Sequence, residues 1–490
     1  MLVHDTHMHV ANREHVQVQG CMGAMQLAPH DLSWLVTHHF REYDKWPWLR
    51  VSSLERQLQD HPSFVAGEVL FLILAVFSLL HAVCESRAAE FRRLKLIWVA
   101  TFIVGTVNDY IFMILPVVDN FWQAQAVLML TPRMPLYIPC VYNAFMYWPT
   151  VAAARVFCHT RRCPMAEAGL AGLLAALFYA PYDMCGARFL WWTWHDTDAG
   201  VALRWLGVPG GSTAWTITFT FCFSLLLRLG HDSGWGQLRT LALACWSTPL
   251  MIIVLNVFTI LGWDRIGMPG PQTVLAASIC FSALCIWKPA FKVWPQLSVA
   301  HRVSVPEHWS VRFALLGYFC TLILIGLTFS PENQVSTGVH QEFGPCDAMD
   351  IDLMGFERKR YICRERFPEE YFRLDCPASW KEEGSRWARV TPEQSMTGGL
   401  ASWYTICGQK HSDFERWVGS LITLSASGAF LLCWAMSVRD CQASPSGAET
   451  FQPVTMAAKE AKTSEEAAQK LRKRQPRAAT PPSRSGNVRP

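Results

Sequence analysis

Long stretches of this 490-residue chain have no charge at all. Met134–Ala154, Thr240–Trp263, Ile266–Trp287 and Trp417–Val438 contain no Asp, Glu, Lys or Arg, and each reaches the ~20 residues that a helix needs to cross a hydrocarbon core. That absence excludes a soluble globular protein. The chain also lacks any Asn-x-Ser/Thr sequon, so glycosylation marks neither side of a membrane. It has no Walker loop, no nicotinamide, flavin or other nucleotide motif, no HExxH and no spaced histidine boxes. No cofactor, bound metal or nucleic-acid partner is therefore expected. The first 62 residues have neither the apolar core nor the small-residue cleavage site of a secretory signal, so the first span is expected to act as the signal anchor.

What the chain does have is hydrophobicity: 51% of its residues are hydrophobic and 17% charged. Five further windows are shorter or carry a polar residue: Phe64–Cys84, Leu96–Val118, Gly169–Tyr182, Thr213–Leu227 and Phe313–Thr328. Their hydropathy and flanking charges still favour spans. The expected fold is an all-α, polytopic transmembrane helical bundle of about nine spans with one disulfide-bearing extramembrane loop. Walking backwards from Trp417–Val438 puts Arg87, Arg92, Arg93, Lys95, Arg155, Arg161, Arg162, Arg228, Arg239, Lys288, Lys292, Arg302 and Arg312 on one side. The opposite short loops hold only Arg133, Arg188, Arg204 and Arg265. The richer side is cytosolic by the positive-inside rule, so the amino terminus is expected outside or in a lumen and the carboxyl terminus in the cytosol. The membrane is expected to belong to the endomembrane system or to be the plasma membrane.

The chain divides into a His-rich polar segment (1–62), a core of eight spans (63–329), an outer or lumenal loop (330–416), the last span (417–438) and a basic tail (439–490). The loop contains Cys346, Cys363, Cys376 and Cys407, which suits two disulfides in an oxidising compartment, with three pairings open. His4, His7 and His9, and the adjacent His38 and His39, have the look of a polar tail poor in carboxylates rather than a metal site. The tail composition predicts disorder, with one helical stretch near Ala457–Arg474. Arg472, Lys473, Arg474 and Arg477 could meet anionic headgroups.

Ionisable groups inside spans are costly and so mark candidate function. Glu68 lies near the outer end of the first span, Asn108 and Asp109 past the midpoint of the second, Asp119 and Asn120 at its exit, and Asp183 just beyond the outward end of the fourth. Asn256 lies late in the sixth. All fall on the outer side. Beside them stand Trp122, the Trp191–Trp194 cluster and Trp215, with Trp191 and Trp263 read as interfacial anchors. Ala126–Leu130 is too short to cross, and the prolines after it suggest a re-entrant or interfacial segment.

An outward-span Asp, Pro135-Leu136-Tyr137-Ile138-Pro139, Asp183, Trp192-x-Trp194 and Gly207-Val208-Pro209 followed by Trp215 together resemble the integral-membrane carotenoid biosynthesis family that includes carotenoid and bisanhydrobacterioruberin hydratases. The whole chain, through His61-Pro62-Ser63-Phe64 and Asp119–Gln125, more closely resembles an uncharacterised eukaryotic family of multi-span proteins. The hydratase resemblance implies acid-catalysed hydration of an alkene in a lipid-soluble, polyprenoid or carotenoid-like substrate. Asp109 would donate the proton, Trp192 or Trp194 would face the carbocation, and Asp183 or Asp119 would hold the water, with Glu68 a further acid. Asn108, Asn120, Trp122, Trp215 and Asn256 would complete the substrate site. A transporter or channel would use the same acids, although no inverted repeat is evident. A receptor or assembly subunit would use the outer loop instead, and the sequence names no protein partner.

Overall fold

The computed structural model describes residues 49–84, 88–115, 118–157, 163–262, 270–301, 309–352, 355–363, 371–374, 376 and 403–438. The amino-terminal histidines, Trp263 and the basic tail, including the expected helix near Ala457–Arg474, lie outside these residues.

The described residues are mostly helical, with 68% of them in helices. Eight helical stretches among the described residues are long and apolar enough to cross a membrane: Pro62–Cys84, Arg93–Met113, Pro164–Arg188, Gly210–Asp232, Gln237–Ile260, Gly270–Phe291, Trp309–Thr328 and Phe414–Met436. An integral membrane protein in a lipid bilayer follows. In chain order the helices are α1 (Leu54–Asp60), α2 (Pro62–Cys84), α3 (Ala88–Ile114), α4 (Tyr137–Phe145), α5 (Tyr147–Val156), α6 (Pro164–Arg188), α7 (Ala199–Ala202) and α8 (Gly210–Asp232). They continue with α9 (Gln237–Ala244), α10 (Ser247–Ile260), α11 (Gly270–His301), α12 (Trp309–Thr328) and α13 (Phe414–Met436).

The expected span Met134–Ala154 is the exception. It forms two consecutive helices, α4 and α5, broken at Met146. Pro149 explains the break, because it has no N–H to return to the carbonyl of Phe145. The stretch carries no charge, yet tyrosines, prolines, Trp148 and Asn143 lower its hydropathy. Protein rather than lipid surrounds it: every residue from Tyr137 to Val156 except Ala154 is buried.

The fold is not purely α. Short strands gather at one end: β1 (Arg50–Val51), β2 (Phe121–Gln123), β3 (Leu128–Met129), β4 (Trp192–Trp194), β5 (Arg204–Trp205), β6 (Val208–Pro209), β7 (Val335–Val339), β8 (Met349–Ile351), β9 (Glu357–Lys359), β10 (Phe372–Arg373) and β11 (Trp403–Gly408). They pair antiparallel as β1–β3, β2–β4, β5–β6 and β8–β9, with a three-stranded sheet ordered β10-β11-β7. The Ala126–Leu130 segment lies in this layer as extended chain, not as a re-entrant helix. Disulfides Cys346–Cys363 and Cys376–Cys407 tie the layer together, which resolves the pairing.

The β2–β4 pairing fixes the path between its strands. Trp122 faces Thr193, so the chain entering α4 and the chain leaving α6 lie at the same end. At the far end Arg155, in the last turn of α5, donates to the carbonyl of Met436 at the end of α13. Also there, Glu167 accepts from Arg93 at 3.0 Å and from Arg228 at 2.6 Å, joining α6 to α3 and α8. The α4–α5 pair therefore runs the length of the bundle.

Helices α6 and α8 form its interior, with 67% and 72% of their apolar windows buried, against 28% for Gln237–Ile260 and 17% for Gly270–Phe291. Close backbone approach holds the interior together, since apolar side chains gain nothing from leaving lipid. A Cβ on Gly172 would stand 2.6 Å from the carbonyl oxygen of Ile217 on α8. Pro181 frees the carbonyl of Leu177, and Gly428 of α13 packs directly over it. Leu284, Phe313 and Phe430 point outward from α11, α12 and α13, as lipid-facing side chains do.

Candidate functional site

A cavity of about 180 Å³ opens where α3, α4, α8, α10 and α11 meet the strand layer. Its walls are mostly apolar, from Phe112, Val141, Tyr179, Trp215, Met251, Leu255 and Val274. A pocket lined by aromatic and aliphatic groups with few polar atoms suits a small apolar molecule.

The polar atoms converge from different helices. Thr248 Oγ1 of α10 donates to Asn108 Oδ1 at 3.0 Å, and Asn108 Nδ2 donates to Tyr142 Oη at 3.2 Å. The Tyr142 hydroxyl in turn donates to Asp109 Oδ1. All four groups are buried. Asn108 and Asp109 are neighbours on α3, and both line the cavity with Tyr142. On the α8 wall, Ser212 Oγ donates to Asp183 Oδ2 at 2.6 Å. Asp183 Oδ1 has no partner among the described residues. Trp192 and Trp194, on alternate positions of β4, both line the cavity and hold their rings edge to face, 6.1 Å apart. A Cβ on Gly186 would fall on the Trp192 ring, so glycine there sets how deep this indole sits.

The structure brings together Asn108, Asp109, Asn120, Trp192, Trp194 and Trp215 of the expected site. It separates the others. Asp183 is not beyond its span but inside α6, behind Ser212. Asp119 forms a bidentate pair with Arg133, at 2.6 and 3.0 Å, and Arg133 also donates to the carbonyls of Met113 and Phe121. That arginine sits over the Trp122 ring, 5.6 Å from its centre, which gives Trp122 a packing role outside the cavity. Glu68 accepts from the N–H groups of Val127 and Leu128 at 2.9 and 3.0 Å, fastening the extended segment to α2. Asn256 donates back to Ile252 on its own helix. Trp191 is no interfacial anchor: it is fully buried and donates to Ser63 Oγ.

Sequence reasoning missed Tyr142, Thr248 and Ser212. Ser212 had a signal in its Gly210-Gly211-Ser212 run at a helix start, whereas Tyr142 and Thr248 sit among apolar neighbours with no motif.

Toward the strand layer the cavity is bounded by Asn120, Asp198 and Asp352. Asp198 Oδ1 caps α7 through Gly200 N–H, and Oδ2 accepts from Arg358 at 2.8 Å. Beside it His195 Nδ1 accepts from the N–H groups of Thr197 and Asp198. Burial, with the nearby Arg358 and Arg204 charges, pulls the His195 pKa down to about 3, so the ring is neutral. Among the described residues no three His, Cys, Asp or Glu side chains come together to hold a metal.

The family model for a domain of unknown function, DUF7802, matches residues 40–233 and 296–437, more than half of the chain. The chain belongs to the DUF7802 family. No curated protein and no solved structure matches it. Within this DUF7802 protein, Asn108, Asp109, Tyr142, Asp183, Trp192, Trp194, Ser212 and Trp215 fall in the matched segments, whereas Thr248, Met251, Leu255 and Val274 fall between them.

Proposed function

We propose that this DUF7802 protein is a cofactor-independent membrane enzyme that holds a lipid-soluble, polyprenoid-like substrate in the cavity and transfers a proton to it at Asp109. One observation carries this reading: a carboxyl within a span reaches the wall of an apolar, aromatic-lined cavity with one oxygen held by Tyr142. The Thr248–Asn108–Tyr142 chain orients the acid, and Trp192, Trp194 and Trp215 offer π-faces to developing positive charge. Alkene hydration, which the carotenoid-hydratase resemblance implied, is a reaction that this arrangement would serve. Asp119 has no part in it because Arg133 holds both its oxygens.

The α4–α5 pair supports nine crossings, since both of its ends are tied to opposite ends of the bundle. The disulfides and the weight of arginine at the far end support an outer or lumenal strand layer.

Lipid mass spectrometry of a knockout against wild type tests the function. The reading expects one lipid species to accumulate and a related species, differing by water or by an isomerised double bond, to vanish. An unchanged lipid profile contradicts it and leaves a receptor or transporter.

A further inference from the structure

Ser212 is a buried hydroxyl with a carboxylate partner on a cavity wall, and proton transfer at Asp109 does not require it. We propose that Ser212 is a nucleophile, with Asp183 as its base, for acyl transfer from a lipid ester bound in the cavity. The proposal shares the cavity with the Asp109 reading but not its chemistry.

Three features of the site carry it. The Ser212 hydroxyl donates to Asp183 Oδ2 at 2.6 Å, the reach of a nucleophile to its base. The remaining oxygen of Asp183 has no partner among the described residues, so accepting the serine proton breaks no other bond. Ser212 also stands in the first turn of α8, a helix of 23 residues. The first N–H groups of a helix have no acceptor within it. Here Pro209 occupies the N-cap and supplies no side-chain acceptor for them. Gly210 and Gly211 bring no side chain to cover these amides, and Gly211 lines the cavity beside Ser212. Backbone donors that have no acceptor within their own helix, and the positive pole of that helix, suit an oxyanion when they stand next to a nucleophile.

The step balances without a cofactor. Ser212 Oγ attacks the ester carbonyl carbon while its proton passes to Asp183. The carbonyl π electrons move onto oxygen, and the first-turn N–H groups receive that oxyanion. Collapse re-forms the carbonyl and breaks the ester C–O bond, and the departing alkoxide takes the proton from Asp183. The acyl group on Ser212 then passes to water or to a lipid alcohol, which Asp183 deprotonates in its turn.

A long-chain alkyl fluorophosphonate, applied to the full-length protein in nanodiscs and mapped by peptide mass spectrometry, tests the proposal. The expected adduct is on Ser212, absent from Ser212→Ala and slowed at least ~100-fold in Asp183→Asn, as loss of a general base predicts. The lipid profile of the knockout tests the Asp109 reading and the Ser212 adduct tests this proposal, so failure of either is seen separately. A folded wild-type protein that is unlabelled, or labelled only at other serines, overturns the proposal without need of either variant. Undiminished labelling of Asp183→Asn overturns it too.

Discussion

Gly105 of α3 lies flat against the ring of Tyr142 of α4, so close that a Cβ on the glycine would fall among the ring carbons. One turn along α3 stands Asp109, the acceptor of the Tyr142 hydroxyl. The missing side chain thus sets where the tyrosine lies and, through it, how the acid is held. Gly105→Ala is expected to destabilise the protein by roughly 1–3 kcal/mol through overpacking, although alanine is the better helix former. Tyr142→Phe keeps the ring and removes only the hydroxyl, at a cost of about 1 kcal/mol. Thermal unfolding in detergent separates the two, and a Gly105→Ala protein as stable as wild type would contradict this packing.

Glu68 is expected to act in folding rather than in chemistry. Its carboxylate is the acceptor for two backbone N–H groups of the extended segment. Glu68→Ala should leave those buried donors without a partner and cost about 1–3 kcal/mol for each. The measurement is again a melting curve, paired with the lipid profile. A variant that melts as wild type does but loses the lipid product would return Glu68 to the catalytic set.

Much of this architecture was legible in the sequence, and the failures have physical causes. Charge-free windows located the helices because a bilayer forbids exposed charge over its whole thickness. The same rule did not show that Met134–Ala154 is two consecutive helices, because burial in protein there replaces contact with lipid and allows proline, tyrosine and asparagine. Half of the expected site came together because an acid within a span must face protein. Asp119, Glu68 and Trp122 lie off the cavity wall in clasps, because a polar residue at a membrane interface serves equally well as a clasp, and only the position of Arg133 or of the Val127 amide reveals which. Ser212 and Tyr142 matter through partners far away in sequence, at Asp183 and Asp109, and no local pattern encodes those meetings.

The strand layer should depend on its two disulfides. Non-reducing peptide mapping is expected to return Cys346–Cys363 and Cys376–Cys407, with Cys163 as a free thiol. Reduction should lower the melting temperature, since closing loops of 17 and 31 residues restrains the unfolded chain by about 3 kcal/mol each. After reduction the loop cysteines should take up an impermeant maleimide from outside intact cells. Labelling only after permeabilisation would reverse the proposed orientation.

Acid should loosen the cavity mouth. Burial holds His195 neutral in the folded protein, with its pKa near 3, and burial also pulls that of His340 down to about 3. An unfolded histidine titrates near 6.5. The sign follows: a depressed folded pKa gives stability that is complete above pH 6.5 and lost as pH falls toward 3. By pH 4 the loss reaches on the order of 3 kcal/mol for each histidine. Protonated Nδ1 of His195 can no longer accept from Thr197 and Asp198. Melting temperature measured from pH 7 to pH 4 should therefore fall, and fall less in His195→Gln. An equal slope in the variant would show that His195 is not the sensor.

The account rests most heavily on Asp109, and Asp109→Asn tests it most directly. Asparagine keeps the size and most of the hydrogen-bonding capacity of the side chain and removes the acid. The measurement is lipid mass spectrometry of knockout cells expressing Asp109→Asn beside cells expressing wild type, with the melting temperature of each purified protein as the control for folding. The expected result is a variant that melts like wild type while its cells keep the knockout lipid profile. Full restoration of the wild-type profile by Asp109→Asn would contradict the account, because the carboxyl would then be a structural hydrogen-bonding group in a cavity whose chemistry lies elsewhere.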